Sequence, residues 1–162
     1  MKKNILLFSL LFFINQLNAQ FSQANLSASG LTCSLCSRAI FDELKRLPFV
    51  EKVNPDVQSS SFEIIFKANT TVNPDALAKA VKDAGFDVAK LKMKVKLEAV
   101  KAMPDKTIEI YGQKFRFLNG NAQLLNGETE ITFVDKEFLT VKERKKHPAN
   151  NFKNERVYQV II

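Results

Sequence analysis

Apolar and polar positions along this chain repeat with two different periods. NLSAS at 25–29 alternates, placing Leu26 and Ala28 on one side of a short strand. Cys36, Ile40, Leu44 and Leu47 then recur at helical spacing, opposite Asp42, Glu43, Lys45 and Arg46. Pro48 closes that helix, because a proline disfavours helical geometry in the residue before it. Val50 to Val57 reads as a strand interrupted by Pro55, which points to a sheet edge or a bulge. SFEIIFKA follows as a second alternating stretch, with Phe62, Ile64 and Phe66 on one face. The next helix has a complete set of end signals. Asn73 can cap it, Pro74 suits its first position, and Gly85 supplies a left-handed stop. Its buried stripe is Leu77, Ala80, Val81 and Ala84. FDVAKLKMKVKLE then alternates strictly, with Leu91, Met93, Val95 and Leu97 inward and Lys92, Lys94, Lys96 and Glu98 outward.

The resulting order is strand, helix, strand, strand, helix, strand. That predicts an α+β domain over residues 20–98, a ferredoxin-like plait with a four-stranded antiparallel sheet under two helices. EAVKAMPDK breaks the pattern, so residues 99–104 read as a linker. Beyond it, TIEIYG, KFRFL, AQLL, ETEITFV, EFLTVKE and RVYQVII read as short strands of a small all-β domain at 105–162. Asn119-Gly120 and Asn126-Gly127 are hairpin signals, and HPANNFKNE reads as the one long loop. A barrel or a sandwich fits this spacing, including one like an oligonucleotide/oligosaccharide-binding barrel. The final strand, running to Ile162, is expected to be tied into a sheet.

Residues 1–19 stand apart from both domains. Lys2 and Lys3 precede an apolar run from Ile5 to Ile14, followed by a polar tail ending at Ala19. This is the layout of a cleavable signal peptide, with an apolar run too short to span a bilayer. It predicts cleavage after Ala19, a periplasmic or secreted protein, and no transmembrane span in the mature chain. Without Lys2 and Lys3 the formal net charge falls from +7 to +5. The excess lies in the C-terminal half, clustered in VKERKKH at 141–147, and reads first as a solvated loop. Aromatic and basic residues do not interleave as they do in nucleic-acid binders, so no nucleic-acid partner is expected.

The only two cysteines are Cys33 and Cys36, in GLTCSLCSRA. In the predicted fold Cys33 lies on the loop after the first strand and Cys36 at the start of the first helix. Unpaired backbone N–H groups and the positive end of the helix dipole favour thiolate there. The C-x-x-C spacing lets both sulfurs converge on one point. Two thiolates suit a soft ion of low coordination number, above all Cu(I), with Ag(I), Hg(II), Cd(II) or Zn(II) behind it. Zinc prefers four ligands, and the only histidine, His147, lies far along the chain in a basic stretch. Met93 and Met103 fit core and linker positions rather than a metal box.

GLTCSLCSRAIFDELKRLPFVEKV resembles the signature of heavy-metal-associated domains, which occur in copper chaperones and in the tails of metal-transporting ATPases. That signature reads G-M-T-C-x-x-C before a helix ending in L-x-x-L-P-G-V-x-x-V. The resemblance spans about residues 25–95, and D-A-G-F-D at 83–87 matches the usual end of the second helix. It implies the same plait, with Cys33 and Cys36 binding a soft metal ion and passing it to a metal-transporting or metal-accepting partner protein. It also implies that Phe86 lies near the ion, as in the ATPase domains. Leu31 stands where the family usually has methionine, and Phe49 where it has glycine. The C-terminal part has no counterpart in that signature.

The expected activity is therefore binding, not catalysis. No Ser/His/Asp set, phosphate loop or carboxylate pair stands out in the sequence. Export leaves two alternatives open, because a vicinal dithiol in an oxidising compartment can close into a disulfide. The pair then serves as a thiol/disulfide redox module, or as a staple in an envelope interaction protein.

Overall fold

The computed structural model describes residues 21–31, 34–119, 122–147 and 155–162. The leader, Cys33 and most of the HPANNFKNE loop lie outside the described residues. Eight strands form one sheet, in the spatial order second, third, first, fourth, seventh, eighth, sixth and fifth along the chain. The first half is the plait read from the sequence. It runs β1 (Phe21–Ser29), α1 (Ser34–Lys45), β2 (Val50–Asp56), β3 (Ser61–Phe66), α2 (Pro74–Asp83) and β4 (Asp87–Ala102). The sheet places β1 between β3 and β4, antiparallel to both, with Leu26 opposite Phe62 and Leu91. β2 lies at the edge with a register shift between Val50 and Lys52, and Pro55 sits where a missing N–H is tolerated.

The core of the plait is mainly aliphatic, with Phe62 fully buried among the aliphatic side chains. Leu26, Ile40, Leu44, Ile64, Leu77, Val81, Leu91 and Val95 are all fully buried. Phe49, in the place of a family glycine, is also buried and packs against Phe66 with ring centroids 6.0 Å apart. α2 begins as its residues dictate. The Asn73 side chain accepts a hydrogen bond from the Asp75 N–H, and Pro74 opens the helix. The outer face of the sheet is polar: Glu63 accepts from Gln23 and Asn54, and Lys92 pairs with Glu130 at 2.6 Å.

The C-terminal strands do not close on themselves as a barrel or a separate sandwich. They extend the plait sheet, and one buried cluster runs from Leu26 and Leu77 through to Phe115, Phe133 and Tyr158. β4 continues through residues 99–102, where the pattern suggested a linker, and pairs along β7 (Gln123–Phe133) from Leu91↔Phe133 to Ala102↔Gln123. The sequence break corresponds to a bulge: the register shifts between Leu97 and Val100, and Ala99 has φ +53°. Opposite it lies Gly127, at φ +86°. Asn126-Gly127 is thus no hairpin, because AQLL and ETEITFV are one continuous strand around this bulge.

Nor does a hairpin join the strands flanking Asn119-Gly120. β8 (Val157–Ile161) inserts between them, antiparallel to β7 and parallel to β6 (Gln113–Phe117). The C-terminal strand is tied into the sheet, as expected, and the Asn119 amide bonds both to and from the Ile162 backbone at 3.0 Å. The real hairpin joins β5 (Thr107–Ile110) to β6 through Tyr111-Gly112. Both residues have positive φ, +52° and +74°, the signs of a type I′ turn. The Tyr111 hydroxyl donates to the Lys96 carbonyl at 2.6 Å, holding that unusual backbone in place. EFLTVKE is not a strand but a 3-10 turn at Lys136–Phe138 followed by α3 (Val141–Arg144), with Thr140 capping onto Glu143 N–H.

Candidate metal centre

Three loops meet at one end of the plait. β1 ends at Gly30, whose φ of +80° turns the chain out of the sheet. Leu31 packs part-buried against the core, so leucine keeps the apolar anchor of that position. α1 opens at Ser34, which places the part-exposed Cys36 in its first turn. Cys33 itself lies outside the described residues.

The second loop follows α2 and closes by a Schellman arrangement. Gly85 N–H donates to Lys82 O at 2.9 Å and Phe86 N–H to Val81 O at 3.1 Å, with Gly85 at φ +90°. This fixes Phe86 part-buried against the core. The loop is tied to the end of β1 by the pairing of Ser29 with Asp87 and by the Ser29 hydroxyl, which donates to Asp87 O at 3.2 Å. The third loop is the β2–β3 turn, where Ser60 O accepts from Ala28 N–H at 3.1 Å. In that turn the Ser59 hydroxyl, with the Ser59 and Gln58 amides, holds the Asp56 carboxyl below the usual carboxylate range.

The rim is partly apolar: Leu35 is 79% exposed and Val57 56% exposed. Among the described residues no cluster of three or more His, Cys, Asp or Glu could hold an ion. His147 sits in the turn after α3. Met93 is buried in the core, and Met103 follows β4.

Residues 25–87 match the family model of the heavy-metal-associated domain. This part of the chain is a heavy-metal-associated domain. A probable copper-transporting ATPase of Arabidopsis thaliana is 29% identical to it over 68 residues, 42% of this chain and 7% of the ATPase. The chain thus spans only a small fraction of that relative's length. Among solved structures, the yeast copper transporter domain Ccc2a, studied in apo and Cu(I) states, is 25% identical. The match covers 41% of this chain and 90% of that one, with a TM-score of 0.38. Oxidized MerP from Ralstonia metallidurans CH34 is also 25% identical, over 41% of this chain and 92% of its own, with a TM-score of 0.38.

What sequence reasoning missed lies beside the heavy-metal-associated domain, where the C-terminal segment meets α2. The Arg156 guanidinium grips Asp75 with two hydrogen bonds, 2.6 and 2.8 Å, and lies 3.6 Å from the buried Asp135. It also stacks over the Tyr158 ring at 4.3 Å. Burial works against the arginine's charge, but the Asp75 hydrogen bonds and the Asp135 and Asp75 charges outweigh it, so its pKa rises above the usual arginine value. Burial, reinforced by the Asp75 charge, pushes the Tyr158 hydroxyl up to about 12. Asp75 reads in sequence only as a first-turn acid of α2, and Arg156 only as the start of a strand. Nothing in the spacing links residues 81 positions apart.

Proposed function

We propose that this chain is an exported soft-metal carrier or scavenger, with Cu(I) as its first cargo, held between the sulfurs of Cys33 and Cys36. The observation that supports it most is the family match over residues 25–87 together with Cys36 in the first turn of α1, at the exposed end of the plait. There the first-turn N–H groups and the helix dipole favour a thiolate. Two thiolates at an exposed tip leave room for a partner's thiolates, so the ion passes by ligand exchange to a metal-transporting or metal-accepting protein. Leu35 and Val57 would meet that partner as an apolar rim. The apolar leader ending near Ala19 supports export.

Competition with a chelator under reducing conditions tests the reading. Reduced protein should bind one Cu(I) per chain, and Cys33→Ser with Cys36→Ser should abolish binding. A reduced wild type that loses Cu(I) to a weak chelator would sink it. The same leader favours a second reading, in which the pair cycles between dithiol and disulfide. A reduction potential in the range of known oxidoreductases, with thiol-exchange activity, would establish that instead.

A further inference from the structure

A cleft of about 640 Å³ lies along the seam between α2 and the C-terminal segment. That volume is in the range of small-molecule sites, which favour seams of this kind. Its apolar lining is Ala78, Phe86 and Val88, and its charged lining carries five cations and three carboxylates. Two of those cations are already committed. Arg156 is spent on Asp75 and Asp135, and Lys79 pairs with Asp83 at 2.5 Å. Lys136 makes only a long contact to its neighbour Glu137, 3.7 Å, at an 80% exposed side chain.

Lys82 and Arg144 differ from these. Neither has a carboxylate within ion-pair distance among the described residues, although Asp87 also lines the cleft. They come from different elements, Lys82 from the last turn of α2 and Arg144 from α3. Arg144 is also oriented in advance, because its Nε donates to the Leu139 carbonyl at 3.0 Å and leaves the rest of the guanidinium to bind. A planar guanidinium and an ammonium lining one cleft together with apolar residues suit a ligand with two separated anionic groups.

We propose that this cleft binds a small molecule bearing two or more carboxylate or phosphate groups, gripped by Lys82 from α2 and Arg144 from α3. Ala78, Phe86 and Val88 take its carbon skeleton. Seven of its lining residues come from the plait and four from the segment that follows it, so the plait without that segment would lack the site. No residue of α1, Cys36 included, lines it, although the loop of Phe86 and Asp87 borders both this cleft and the end of the plait where Cys36 lies.

Calorimetric titration of the intact chain at low ionic strength tests this, with citrate as the carboxylate probe and inorganic pyrophosphate as the phosphate probe. Saturable one-to-one binding of at least one probe is expected, and whichever binds more tightly identifies the anion class. Lys82→Gln with Arg144→Gln should weaken binding about tenfold or more. Lys82→Gln alone, at an exposed position, should weaken it too and answers the question if losing the Arg144 bond disturbs α3. Cys33→Ser with Cys36→Ser should bind the probe as the wild type does. Absence of saturation at millimolar concentration with both probes, or unchanged affinity in the Lys82→Gln variant, overturns the proposal.

Discussion

The plait and the C-terminal segment share one sheet but bury their surfaces by different means. In the plait, α1 and α2 cover a mainly aliphatic face, and β4 alternates between core and solvent from Lys90 to Glu98. Among the described residues of the C-terminal segment, the helical pieces are a 3-10 turn and four residues of α3. Its core is a set of rings instead: Phe115, Phe133, Phe138 and Tyr158 pack with centroids 5.1 to 6.5 Å apart. Phe115 also reaches Phe21 at the start of β1, 6.2 Å away. Large rings fill the layer beside these short helical pieces. The plait thus carries its own cover, and the segment leans on the edge of β4 and the flank of α2.

Taking the two apart should have the largest effect. Residues 105–162 expressed alone should be unfolded by circular dichroism and show collapsed amide dispersion, because β7 loses the strand along which it pairs. A folded fragment would show that the segment is an independent domain after all. Next comes Phe133→Ala, which empties the centre of the ring cluster and should cost about 3–5 kcal/mol in urea unfolding. The unfolding should stay a single transition if the plait and the segment share one core; two transitions would separate them.

The seam should also respond to pH. The Tyr158 hydroxyl ionises near 10 when unfolded and near 12 when folded, so between those values the unfolded state releases its proton first. Stability is complete below pH 10 and should fall as pH rises from about 10 to about 12, by about 2 kcal/mol in all. Tyr158→Phe should flatten that slope, and an unchanged slope would place the loss elsewhere. The smallest effect belongs to the start of α2. Asn73→Ala removes the cap on α2 and should cost about 1 kcal/mol by thermal or urea unfolding. Asp75 is common to cap and seam, its N–H bonded to Asn73 and its carboxylate to Tyr158, so the costs of Asn73→Ala and Tyr158→Phe should couple rather than add in the double variant.

The two regions were not equally legible. In the plait, each element is announced by groups close together in sequence: Asn73-Pro74 at the start of α2, Gly85 at its end, Pro55 on the edge strand, and lysines alternating with apolar residues in β4. In the segment, local signals misled. Asn126-Gly127 looks like a turn, but its positive φ serves a bulge opposite Ala99. Tyr111-Gly112, without the usual asparagine, makes the hairpin because the tyrosine hydroxyl can reach the Lys96 carbonyl. The position of Cys36 at the start of α1 was legible in the same way as the plait, from spacing within one loop and one helix.

The sequence by itself determined the plait, the position of Cys36 at its exposed end and the likeness to heavy-metal-associated domains, because periodicity, caps and a short motif act over a few residues. The tertiary structure alone decided that the last strands join β4, that β8 slips between β7 and β6, and that Asp75 meets Arg156. It also brought Lys82 and Arg144 to one cleft. Those outcomes depend on which apolar face and which open strand edge lie within reach once the chain has folded, and no local pattern records that.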